Sequence, residues 1–300
     1  VVPDVITVSG LSKRYKHGHV LEDVSFEVRA GSICGLIGRN GAGKTTVLKC
    51  VVGLARPSAG TISIDGAPVG PATFRKLAYV ADARALYDGL TVEEHLHVAE
   101  RSSAAFDLAR AADLLDVFQL ARRSSVRRLS RGQRTGLALL IAFASRPSIV
   151  VLDEPTSDLD PILQRVVLEL VIEAASSGAA VLLSSHQIGH LEQAADHILV
   201  LHQSRIALDA EVETLRREEK VVEAFFDSAA PDAEAVRAQP GVRRAESSHT
   251  SSRAFVAGSA EALQSWYRAG GAREVRIVDR NLEEVFLDIV DEPRGGIIAR

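Results

Sequence analysis

Cys34 and Cys50 are the only cysteines in the chain. A disulfide scaffold is thereby excluded, and a reducing compartment fits better. Both lie in apolar segments, where a free thiol packs as a small hydrophobe. Long apolar runs are also missing. The longest is Leu137–Ala144, whereas a membrane-spanning helix needs about 20 residues. Val1–Gly10 has no basic stretch leading into a long apolar core, so no secretory signal is expected. The chain reads as soluble, and any work at a membrane requires spanning helices from another polypeptide. Excess positive charge is absent as well. The net charge is −4, which gives no electrostatic case for a nucleic-acid partner. No internal repeat or low-complexity segment occurs.

What is present is an ordinary globular composition, 46% apolar and 25% charged, over 300 residues. That length predicts one large domain and a smaller one. Ile6–Ser9, Ser25–Val28, Ser32–Ile37, Thr61–Ile64, Ile149–Leu152 and Ala180–Ser184 read as strands. Thr45–Gly53, Leu163–Ser176 and Ile188–Ala195 read as helices, and the periodicity from Thr91 to Ala121 is helical. This alternation predicts an α/β fold, a sheet covered by helices with a helical insert at about 85–145. After residue 217 the character changes. Glu218, Glu219 and Lys220 read as a polar hinge, and the order β-α-β-β-α-β then predicts a ferredoxin-like α+β domain over 218–300, closed by a helix at Leu282–Ile289.

Gly38-Arg39-Asn40-Gly41-Ala42-Gly43-Lys44-Thr45 fits Gly-x4-Gly-Lys-Thr, the phosphate-loop pattern, between an apolar strand and a helix. Gly38, Gly41 and Gly43 let the backbone N–H groups of Asn40, Ala42 and the helix start at Thr46 turn inward around a polyphosphate. Lys44 reaches the β- and γ-phosphates, and the Thr45 hydroxyl is placed for Mg²⁺. Val150-Val151-Leu152-Asp153-Glu154-Pro155 is a buried strand ending in two carboxylates. Buried acids need a cation or a hydrogen-bond role. Asp153 is assigned to Mg²⁺ and Glu154 to polarising the attacking water.

Between these motifs stands Leu129-Ser130-Arg131-Gly132-Gln133. Ser130 and Gln133 have capping-box spacing, which by itself describes a well-capped helix. Placed about twenty residues before the Asp-Glu strand, the segment resembles the signature motif of ABC ATPases. The rest follows in that family's order. Tyr15 resembles the aromatic residue that stacks on adenine, Thr156–Asp160 the D-loop, and His186 the switch histidine near the γ-phosphate. The resemblance covers roughly residues 4–215. It implies ATP and Mg²⁺ as cofactors and a head-to-tail dimer, in which Ser130, Gly132 and Gln133 of one copy complete the site of another. It also implies a separate membrane permease, with the chain on the inner face of the cell membrane.

Two departures stand out. Arg131 replaces the usual glycine of the signature, and Asp82 falls where the family has the Q-loop glutamine that approaches Mg²⁺. Asp82 offers a shorter, charged arm. Pro240-Gly241-Val242 and Asn281–Leu287 resemble the C-terminal domain of ABC-2 type drug-export cassettes, which implies an exporter. A soluble repair or translation ATPase is the alternative, but the coiled-coil insertion or second cassette of those proteins is lacking. A regulatory cassette with little turnover is another alternative, motivated by Asp82. His186 and His190 lack the glutamate and third ligand of a zinc site.

Overall fold

The computed structural model describes residues 4–16, 18–81 and 86–291, with the side chains of His190 and Asp291 left aside. Asp82 therefore lies outside the described residues. The chain divides into two compact units, one running up to Asp209 and the other beginning at Ala210.

The first unit starts with two long strands, β1 (Asp4–Tyr15) and β2 (Gly18–Arg29), each alternating buried and exposed residues over much of its length. With β4 (Ala59–Ile64) and β5 (Ala67–Pro68) they make an antiparallel sheet of order β2-β1-β4-β5. Alternation of this kind marks a sheet packed on one face only. The second sheet is different. In β3 (Ile33–Ile37) and β8 (Ala180–Ser185) every residue is buried, and in β7 (Ile149–Asp153) all but the last. Such runs belong to strands covered on both faces. They join β6 (Leu77–Val80), β9 (His197–His202) and β10 (Arg205–Glu211) in the order β10-β9-β3-β8-β7-β6, with β9-β3-β8-β7-β6 all parallel. Helices α1 (Lys44–Val51), α2 (Pro71–Phe74), α6 (Pro161–Ser176) and α7 (Ile188–Ala194) lie between the strands in sequence. Cys34 and Cys50 pack in the core between the sheets, where burial pushes both thiols up.

The helical insert consists of α3 (Val92–Ser102), α4 (Leu108–Val117) and α5 (Arg131–Ala144). The periodicity that ran unbroken from Thr91 to Ala121 is divided at 103–107. Asp107 takes the Arg110 N–H at 2.9 Å and so caps a new helix. Strands β9 and β10 had no counterpart in the sequence reading, although His197–His202 carries four consecutive buried apolar residues.

The second unit opens on α8 (Val212–Glu218) and contains β11 (Glu219–Phe226), α9 (Ala233–Arg237), β12 (Val242–Ser247), β13 (Ser251–Ala257), α10 (Glu261–Ala269), β14 (Ala272–Asp279) and α11 (Leu282–Asp291). Its sheet is antiparallel throughout, with order β12-β13-β11-β14, the arrangement of a ferredoxin-like sandwich. Val222, Ala254, Val236, Leu263 and Tyr267 fill the core on one face, and the Tyr267 hydroxyl is satisfied by Ser252 Oγ at 2.7 Å.

The polar hinge expected at Glu218–Lys220 is corrected here. Glu218 ends α8, and Glu219 and Lys220 begin β11. The Glu219 side chain is 9% exposed and meets Arg280, 2% exposed, at 3.3 Å, and Arg243 at 3.0 Å. Of the residues read as a hinge, Glu219 belongs to a buried ion pair whose partners lie far along the chain.

Candidate functional site

In a parallel sheet, ligands gather beyond the carboxyl ends of the strands. Here β3, β8 and β7 are neighbours, and their ends deliver Gly38, His186 and Asp153-Glu154 to one place. The phosphate loop follows β3 directly. A Cβ on Gly38 would lie 2.7 Å from the Leu201 carbonyl oxygen, so the close approach of β9 excludes a side chain. Gly43 has φ +111°, and a Cβ there would also meet Leu21 at 2.9 Å. That left-handed turn aims the first residues of α1 at the loop. Gly43 gives α1 no side-chain cap and the first turn carries no acid, so its N–H groups and partial positive charge remain for an anion.

Lys44 is 7% exposed in its side chain. Its Nζ donates to the Gly38 carbonyl oxygen at 2.7 Å and lies 3.2 Å from Glu154 Oε1, an ion pair without hydrogen-bond geometry. Glu154 has φ +51°, a strained value for a residue with a side chain. Its N–H meets Ser184 Oγ at 3.1 Å and the Ser184 carbonyl at 3.2 Å. Its Oε2 receives the His186 N–H at 3.1 Å and lies 2.7 Å from His186 Nδ1. Asp153 Oδ1 accepts the Ser184 hydroxyl at 2.8 Å. The structure thus brings Gly38, Lys44, Asp153, Glu154 and His186 together. Ser184 links the two acids, a role sequence reasoning missed. The signal available was a pair of hydroxyls ending a buried strand, with nothing to say which acid they would face.

The remaining predicted residues are placed as follows. Asn40 and Gly41 are exposed in the loop, and Ala42, Gly43 and Thr46 are half-buried around it. Thr45 is exposed in the first turn of α1. Tyr15 ends β1, 46% exposed, with Lys13 Nζ 4.9 Å from its ring centre. A cleft of about 650 Å³ opens beside it, lined by Ser12, Arg14, Lys16, His19 and Ser58. Ser130 and Gln133 form the predicted capping box, each backbone N–H reaching the other side chain at 3.2 Å. Gly132 abuts the 156–160 loop, since a Cβ would lie 3.0 Å from the Asp158 carbonyl oxygen. Among the described residues no recorded hydrogen bond or ion pair joins Ser130–Gln133 to the phosphate loop.

No group of three His, Cys, Asp or Glu side chains able to hold a metal occurs among the described residues. A hydroxyl from Thr45 and a carboxylate from Asp153 are hard oxygen donors. That set suits Mg²⁺, which takes one or two protein ligands and completes its shell with phosphates and water.

Comparison with known proteins agrees with this geometry. The ABC transporter family profile matches residues 21–157. The ABC transporter ATP-binding protein YtrB of Bacillus subtilis is 30% identical over 227 residues, 75% of this chain and 78% of its own. A Nod factor export ATP-binding protein I of Burkholderia orbicola is 35% identical over 67% of this chain and 68% of its own. The methionine import ATP-binding protein MetN of Mesorhizobium japonicum is 32% identical over 68% and 59%. A solved ATP-binding subunit of an ABC transporter superposes with TM-score 0.65 at 35% identity, covering 71% of this chain and 92% of its own. The chain belongs to the ABC transporter family, as an ATP-binding cassette ATPase subunit.

Proposed function

We propose that the chain binds MgATP at Gly38–Thr46, hydrolyses it with Glu154 as base, and drives a separate membrane permease by closing on a second copy of itself. The observation that carries this reading is the Lys44–Glu154–His186 chain at the adjoining ends of β3, β7 and β8. Glu154 and His186 are in contact, so a water at Glu154 would have a second polar neighbour at the γ-phosphate. Lys44 must exchange its contacts with Gly38 and Glu154 for phosphate oxygens. That exchange would free Glu154 for the water only once the polyphosphate is in place. When bound, Mg²⁺ would neutralise phosphate charge, held by Thr45 and Asp153, with Asp82 as a third candidate. Tyr15, exposed beside its cleft, is assigned to the adenine face.

Among the described residues, Ser130 and Gln133 bond to each other and Gln133 to the Gln119 carbonyl, none of them to the phosphate loop, which is in keeping with a site completed by a second chain. Ser130, Gly132 and Gln133 of one copy would face the phosphates held by the other, with α5 offering its capped end. In this reading residues 1–217 form the cassette and 218–300 an accessory domain. Export is favoured by the likeness of the second module to drug-export cassettes, although relatives named for export and for import match similarly. No helix among the described residues is long and apolar enough to cross a membrane, which is in keeping with a permease partner at the inner membrane face.

ATP turnover by wild type and Glu154→Gln tests the assignment. Turnover should fall by about 10²-fold or more with ATP binding retained, the range for loss of a positioned base. Equal turnover would refute Glu154 as the base.

A further inference from the structure

Tyr79 lies in β6 opposite Val151 of β7, in parallel register. Asp153 is two residues beyond Val151, so strand alternation puts Tyr79 and Asp153 on one face of the sheet. That face packs on α1, since Tyr79 and Val151 share an apolar cluster with Val47 and Val51. The Tyr79 ring belongs to this cluster, but its hydroxyl does not. The hydroxyl oxygen is buried and has no hydrogen-bond partner among the described residues. A buried O–H without a partner is destabilising where a phenyl ring would be neutral, so the hydroxyl calls for an explanation.

The acceptor is close by. Asp153 receives the Ser184 hydroxyl on Oδ1, and Oδ2 has no recorded donor among the described residues. Burial together with the neighbouring Asp153 charge pushes the Tyr79 phenol up to about 12. A phenol O–H is a donor and a carboxylate an acceptor, the pairing that makes the stronger kind of hydrogen bond. The two are not hydrogen-bonded in the structure, so pairing requires Asp153 to be re-aimed.

We propose that Tyr79 is a positioning residue of the nucleotide–metal site, its hydroxyl donating to Asp153 Oδ2 and fixing that carboxylate when MgATP is bound. This rests on the assignment of Asp153 to Mg²⁺ made above. Ser184 and Tyr79 would then hold the carboxylate from two directions, as ligating carboxylates are commonly held. The buried hydroxyl would gain its partner only in the loaded site.

Tyr79→Phe in the full chain removes the hydroxyl and keeps the ring. Binding of a fluorescent ATP analogue is titrated with Mg²⁺, then repeated in EDTA, and thermal unfolding is followed without nucleotide. The Mg²⁺ needed for half-maximal binding should rise about fivefold, the effect of one hydrogen bond. Binding in EDTA should be unchanged, and the unfolding temperature should be equal or higher. An unaltered Mg²⁺ requirement, or equal losses with and without Mg²⁺, makes Tyr79 a packing residue and overturns the proposal. If wild type itself shows no Mg²⁺ dependence, the Asp153 assignment fails and this inference falls with it.

Discussion

Ser184 gives its hydroxyl hydrogen to Asp153 and accepts the Glu154 N–H, so one side chain fixes the Asp153 carboxylate and the Glu154 backbone. It is fully buried at the end of β8, where an unpaired polar group is costly. Ser184→Ala leaves the Glu154 N–H its second acceptor, the Ser184 carbonyl, but releases Asp153. Turnover should drop about tenfold, in line with the loss of one hydrogen bond to a charged group, while nucleotide binding in EDTA stays unchanged. Steady-state kinetics and equilibrium binding check the two halves. Gly43→Ala acts differently, through backbone strain and the contact with Leu21. It should abolish measurable ATP binding in a chain that remains folded by circular dichroism. At this scale the sequence was informative wherever the working residues are neighbours in the chain. Gly38–Thr46 and Asp153-Glu154 are contiguous, so pattern and chemistry could be read together. Ser184 and Tyr79 act on Asp153 from other strands, and only the register of β6, β7 and β8 brings them near.

Elements were legible in proportion to their periodicity. The buried strands β3, β7 and β8 stood out as short apolar runs, and the capping box of α5 was visible in Ser130 and Gln133. Ser130→Ala should lower stability by about 1 kcal/mol, the usual worth of an N-cap. It should leave ATP binding by the single chain intact and weaken association driven by MgATP, which analytical ultracentrifugation reads directly. The second unit yielded its strand order to pattern reading but not its electrostatics. Glu219 opens β11 with its charge met by Arg280 and Arg243, and Arg280 lies 61 residues away. Arg280 also pairs with Asp288 and donates to the Glu284 carbonyl at 2.8 Å, tying α11 to β11. Glu219→Leu leaves buried Arg280 short of one partner. It should destabilise the second unit by about 2 kcal/mol, the loss of one charge-assisted hydrogen bond, because Asp288 still pairs with Arg280. Chemical denaturation should then show an earlier transition, with ATP binding by the first unit unaffected.

For the whole molecule, the proposed function makes the phosphate loop half of a site that a second copy completes. Lys44, Glu154 and His186 are already in contact, whereas Ser130–Gln133 caps a helix elsewhere in the same unit. In the proposed head-to-tail pair, the capped helix end of one copy would face the phosphate cradle of the other. Composition could suggest none of this; it came from the family resemblance that the ordered motifs carry. The most direct test is the oligomeric state of Glu154→Gln, measured by size-exclusion chromatography with light scattering, with and without MgATP. The account predicts a monomer that becomes a dimer when MgATP is added and reverts when the metal is chelated. A monomer that ignores MgATP would contradict it.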